Sequence, residues 1–249
     1  MNAIRIIRTL GPVDLKNIRR DALLMWMPVM PLMMVLAMRI GVAPMTEFAQ
    51  TQFDFDLVPY YPLLVSFYLL LAPGIVGFVI GFLLLDERDD HTLTALMVTP
   101  LPMTGYLLYR ITVPMILGLT MTLAGYPLLG LIPLPPLELV LIAVLGAFSG
   151  AQTALLLAAL AENKVSGLAV MKMLNGVQMF PVLAFFIPSA WAYLIGIVPS
   201  FWSVKLFWLV ADGLRVADFG FWLVFCAGLA INVLVTWALL RRFNQVIHR

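Results

Sequence analysis

The stretch PLLVSFYLLLAPGIVGFVIGFLLL, residues 62–85, contains no charged side chain, and the run Asp86-Glu87-Arg88-Asp89-Asp90 ends it abruptly. A hydrocarbon core about 30 Å thick is crossed by about 20 mostly apolar residues in one helix, and 62–85 fits that requirement. Working outward, the same pattern recurs at 22–41, 107–131, 139–160, 168–188 and 219–240. The expected fold is therefore all-α, an integral membrane protein of six transmembrane helices. Composition points the same way: 63% of the 249 residues are hydrophobic, only 11% are charged, and the mean hydropathy is +1.02. Soluble domains carry about 25% charged residues. No linker or soluble-looking stretch divides the chain, so 1–249 reads as one transmembrane domain. Prolines inside the spans, such as Pro73, Pro114 and Pro127, are tolerated where neighbouring helices satisfy the freed carbonyls, and are expected to mark kinks.

Charge sets the orientation. Of 15 lysines and arginines, all but Arg39, Lys205 and Arg215 fall on the side shared by the two termini. Positive residues concentrate in cytoplasmic loops, so both termini are expected in the cytoplasm. The first apolar run reaches spanning length and lacks a small-residue cleavage site, which argues against a cleaved signal peptide. Before it, residues 1–21 are expected to lie inside. Leu15, Ile18 and Ala22 share a face, with Lys16, Arg19 and Arg20 around it, as suits a helix in the interface. Arg39 is expected to pair with Glu47, Asp54 or Asp56 on the outer side. The segment 189–218 is apolar but broken by Pro199 and Lys205. A full span there would put the basic C-terminus outside, so two short re-entrant helices in the outer leaflet are expected.

Several activities lack their residues. There is no phosphate-binding G-x-x-x-x-G-K-[ST] loop, hence no nucleotide hydrolysis by this polypeptide. His91 and His248 lie outside the spans, so Ser149 has no imidazole partner for a serine-protease arrangement. There is no H-E-x-x-H and no metal-ligand spacing, and no metal is expected. Cys226 is the single cysteine and reads as a small hydrophobe. The net charge of +2 gives no footing for nucleic acid. Every Asp and Glu falls at a span end or in a loop, whereas ion-coupled carriers keep ionisable groups at mid-membrane. Active transport would need energy from elsewhere.

The segment 86–106 supplies a means. Leu93, Leu96 and Met97 form the stripe of a short amphipathic helix, preceded by four acids around Arg88 and stopped at Thr99-Pro100. Such a helix suits docking in a groove of another protein; a merely solvated charge run is the alternative. The acidic start, Thr92-Leu93-x-x-Leu96 and Thr99-Pro100-Leu101, after the second of six spans, resemble the permease subunits of type-2 ABC exporters. With Leu15 to Asp21 they are most similar to bacterial permeases labelled as fluoroquinolone-export subunits. The resemblance covers nearly the whole chain, and His91 departs from it where glycine is common. It implies that Glu87, Arg88, Thr92, Leu93, Leu96, Thr99 and Pro100 form a coupling helix seated on a separate ABC ATPase. It further implies ATP and Mg²⁺ in that partner, no cofactor on this chain, and a dimer of this permease with itself or a similar one. The expected cargo is hydrophobic or amphipathic. Among the few polar span residues, Gln152, Asn175 and Gln178 are the candidates for its path, although interhelical hydrogen bonding is the commoner use of such groups. An ATP-independent carrier or channel, or a non-transporting membrane scaffold, are the other classes open to this sequence.

Overall fold

The computed structural model describes residues 3–90, 103–187 and 189–247, and all regular structure among them is helical. Helix α1 is Ala3–Arg20, α2 Ala22–Trp26, α3 Val29–Phe53, α4 Tyr61–Asp89, α5 Met103–Leu129, α6 Pro136–Leu160 and α7 Lys164–Met179, followed by the 3₁₀ turn Phe180–Phe186. A turn of helix, α8 (Ser189–Ala192), and the 3₁₀ turn Tyr193–Ile197 precede α9 (Phe201–Ala211) and α10 (Phe219–Ile247). Six segments are long and apolar enough to cross a membrane: Ala22–Phe53, Val58–Asp89, Gly105–Leu129, Pro136–Leu160, Lys164–Phe186 and Phe219–Phe243. These are the six expected spans.

Two helices form the interior. Of the most apolar stretch, 78% is buried in the second span and 72% in the fourth, against 22% in the first and fifth. The reason is local. Gly74, Gly77 and Gly81 recur at helical spacing on α4; α6 presents Gly150 and Thr153 to Gly77 and Ala154 to Gly81, while Gly74 faces Gln178 of α7. A Cβ at Gly77 would run into the carbonyl oxygen of Gly150, and one at Gly81 would lie 2.9 Å from Leu157 Cδ2. Lipid tails are as apolar as leucine, so helices in a membrane associate by close backbone approach rather than by hydrophobic exclusion. The small residues permit that approach, and the remaining helices pack around the α4–α6 pair.

Three expectations change. The first span does not stop near Gly41: α3 continues through Pro44 to Phe53, where Asp54 takes a left-handed conformation (φ 51°) and ends it. Arg39 makes no ion pair with Glu47, Asp54 or Asp56; its guanidinium lies against Gly130, whose φ of +68° turns the chain after α5. On α1 the inward face is Leu10, Asp14 and half-buried Ile18, while Leu15 is exposed. The helix begins well before the stretch that the sequence pattern marks.

No seventh span forms in 189–218. At 11 residues α9 is about 16 Å long, about half a hydrocarbon core. It is nevertheless buried along nearly its whole length. Trp208 donates its indole N–H to Ser66 Oγ at 2.8 Å, Trp202 donates to the Gly196 carbonyl at 2.9 Å, and Phe201, Leu206 and Phe207 are sealed inside. Further along, the buried carboxylate of Glu138 accepts from the Val216 amide at 3.4 Å.

Candidate functional site

One end of the bundle gathers α1, the last turn of α4, the first turns of α5 and the α6–α7 turn. From Gly105 onward α5 is apolar enough to run through the bundle, and Arg110 comes with it, 1% exposed. A guanidinium at that depth requires counter-charge. Asp14 on α1 supplies it in forked form: Arg110 Nη1 lies 2.8 Å from Asp14 Oδ2, and Nη2 lies 3.1 Å from Oδ1. Arg110 Nη2 also pairs with Glu87 on α4. Tyr109 donates its hydroxyl to Asp14 Oδ2 at 2.7 Å, Tyr106 donates to Glu87, and both rings lie 5.3–5.4 Å from the guanidinium carbon. Two carboxylates share one cation, and the two phenols donate to the carboxylate oxygens. Three elements distant in sequence are thereby tied at one point.

A second, more open cluster lies beside it. Lys164, opening α7, reaches Asp86 at 2.9 Å and also pairs with Asp21. Asp21 caps α2 as well, accepting from the Leu24 amide at 3.1 Å. Partial burial pushes its carboxyl pKa up, but the bonds from Lys164 and the backbone outweigh this and leave it below the ordinary value. Arg88 donates to the carbonyls of Ala158 and Ala161, which end α6, where a cation complements the free carbonyls of a helix C-terminus. The root of segment 86–106 is thus fastened to α1, α5, α6 and α7.

Of the residues read as a coupling helix, Glu87 and Arg88 are turned into these internal bonds. Thr92, Leu93, Leu96, Thr99 and Pro100 lie outside the described residues. The candidate path residues do not converge. Gln152, buried on α6, donates to Asn232 Oδ1 at 3.1 Å and Thr236 Oγ1 at 3.2 Å on α10, which is interhelical bonding. Gln178 reaches Thr153 on another face of α6 and lies against Gly74 of α4. Asn175 Oδ1 and Gln178 Oε1, one turn apart on α7, are buried oxygens without a hydrogen-bond partner. Among the described residues no cluster of His, Cys, Asp and Glu could hold a metal.

Sequence reading missed the Asp14–Arg110–Glu87 cluster. Arg110 was counted with the flanking positive charge, and Asp14 with the loops. The available signal was an arginine several residues inside an apolar helix, flanked by Tyr106 and Tyr109.

Six apolar helices, four of them packed around a close-packed central pair, with ion pairs gathered at one end, define a multi-pass helical membrane protein. Residues 14–240 match the family model described as fluoroquinolones export permease protein Rv2686c-like, and the chain belongs to that family. Two relatives from Mycobacterium tuberculosis are 33% identical over 248 residues, covering 96% of this chain and 94% of theirs. They are the fluoroquinolones export permease proteins MT2760 (strain CDC 1551 / Oshkosh) and Rv2686c (strain ATCC 25618 / H37Rv). No solved structure matches the chain.

Proposed function

We propose that this chain is the membrane-spanning half of an ATP-driven exporter, powered by a separate ATP-binding subunit and working as a dimer with itself or a similar permease. Its cargo is hydrophobic or amphipathic and drug-like, with fluoroquinolones the first compounds to try, since the relatives are named for exporting them. ATP and Mg²⁺ belong to the partner. Both termini and segment 86–106 face the cytoplasm, and 189–218 dips into the outer leaflet as a re-entrant segment.

The observation that carries this reading is the clamped root of segment 86–106. A segment that only connects two spans has no need of a buried arginine shared by three helices. A segment that transmits force from a motor must be rigidly joined to the spans it moves, and the ties of Glu87, Arg88 and Arg110 supply that joint. In this role Glu87 and Arg88 position the docking helix, while Thr92, Leu93, Leu96, Thr99 and Pro100 meet the ATPase. Among the described residues no carboxylate sits mid-span, which favours an external motor over an ion gradient. Asn175 and Gln178 present the free acceptors of the path, and Gln152 holds α6 to α10.

The test is purification of the full chain from native membranes in mild detergent, with ATP hydrolysis assayed in the eluate. The expected result is a co-purifying ATPase that is lost when Leu93 and Leu96 are both replaced by aspartate. Purification alone, or with partners that bind no nucleotide, overturns the reading.

A further inference from the structure

A groove of about 380 Å³ opens on the side of the bundle between α3 and α5, with α4 as its floor. Its walls follow helical spacing. Pro28 and Leu32 are one turn apart at the start of α3; Val76 and Val79 line the floor; Leu117, Thr120 and Ala124 share one face of α5. Ile18 of α1 closes the end nearest the ion clusters. Leu32, Leu117, Thr120 and Ala124 are exposed, so the groove opens toward lipid rather than toward a protein core.

The chemistry of the walls selects the occupant. The one side-chain hydroxyl, on Thr120, already donates to the Leu117 carbonyl at 2.9 Å. Sites for drug-like molecules carry a few convergent polar groups that fix orientation. This groove offers none, and its surface suits a hydrocarbon chain. Arg19 and Arg20 directly follow the lining residue Ile18 in the last turn of α1, are exposed, and have no carboxylate partner among the described residues. By contrast, Arg110 and Lys164 are each paired with two carboxylates. Basic pockets at the inner ends of transmembrane helices bind anionic headgroups.

We propose that the groove between α3 and α5 holds one acyl chain of an anionic phospholipid whose headgroup is bound by Arg19 and Arg20. The site is separate from the polar side chains assigned to the transport path and does not depend on that assignment. A lipid seated there fills the gap between α3, which has few contacts with the bundle, and the α4–α5 pair.

The experiment is native mass spectrometry of the delipidated full chain titrated with phosphatidylglycerol or phosphatidylcholine. The wild type is expected to retain one phosphatidylglycerol in preference to phosphatidylcholine. The double variant Arg19→Ala/Arg20→Ala should bind it about thirtyfold more weakly, in line with the attraction of two surface cations for anionic lipid, and lose the preference. Ala124→Trp and Thr120→Phe, at exposed wall positions where the added ring meets no core, should each abolish retention. Equal binding of the two lipids to the wild type overturns the proposal, as does wild-type binding by both filled variants. Capture of a neutral hydrophobic dye in the groove with no lipid retained would give the site to a transported compound, and equally overturn it.

Discussion

Arg110 is the residue on which most depends. Removing one partner of a buried ion pair leaves the others charged and unpaired, at about 3–5 kcal/mol. Arg110→Met should therefore lower the thermal unfolding midpoint in detergent substantially. Asp14→Asn keeps a hydrogen-bonding side chain and leaves Arg110 with Glu87, so its loss should be smaller, about 1–3 kcal/mol. If the two variants melt alike, the cluster is not the joint described above. Asp21 is a different case, because it and Lys164 are partly exposed and such pairs contribute only about 0–1 kcal/mol. Its folded carboxyl lies below the ordinary value, so its contribution is complete above about pH 4. That contribution disappears only as pH falls further, through the folded value. Asp21→Asn should thus reduce stability slightly and evenly near neutrality, and the difference from wild type should narrow in acid. A pH series of unfolding midpoints checks the sign.

At the scale of elements, the α4–α6 contact is the most sensitive to volume. Gly77→Leu forces a side chain into the Gly150 backbone, where neither partner is a flexible tip that can yield. Overpacking of this kind costs about 1–3 kcal/mol or more, and the helices must separate. The same change at Gly176 of α7, where an added Cβ meets nothing within 4 Å, should leave the midpoint near wild type. Comparing the two in one melting assay separates packing from glycine propensity. The α4 glycines were visible in the sequence, yet nothing in their spacing named α6 as the partner. The short helix α9 was legible as an interruption, because Pro199 and Lys205 exclude a full span. Its burial was not, since Trp202 and Trp208 read equally well as interface-seeking rings until Ser66 and Gly196 are seen to accept from them.

For the whole molecule, the proposed orientation puts α1 and segment 86–106 on one side and 189–218 on the other. With Cys226 replaced by serine, single cysteines at Arg8 and Gly213 should react oppositely with a membrane-impermeant thiol reagent on intact cells. Gly213→Cys should label and Arg8→Cys should not. The reverse pattern would invert the topology and remove segment 86–106 from reach of a cytoplasmic ATPase, and equal labelling would overturn the proposed sidedness. That the two clusters share an end is already geometric, because Lys164 and Arg110 join residues from the first to the fifth span there.

Hydropathy by itself determined the number of spans, their order and their approximate limits, because the hydrocarbon core imposes one length on every helix that crosses it. The same one-dimensional signal located the acidic segment after the second span. Which helices lie inside, which polar groups meet, and where Arg110 finds its counter-charge were decided only by tertiary structure. Most spans carry apolar residues on every side with only scattered polar ones, so periodicity does not distinguish a lipid-facing surface from a packed one. Glu87 shows the consequence: in sequence it is one acid among four at a helix end, and only the approach of α1 and α5 makes it a partner of Arg110.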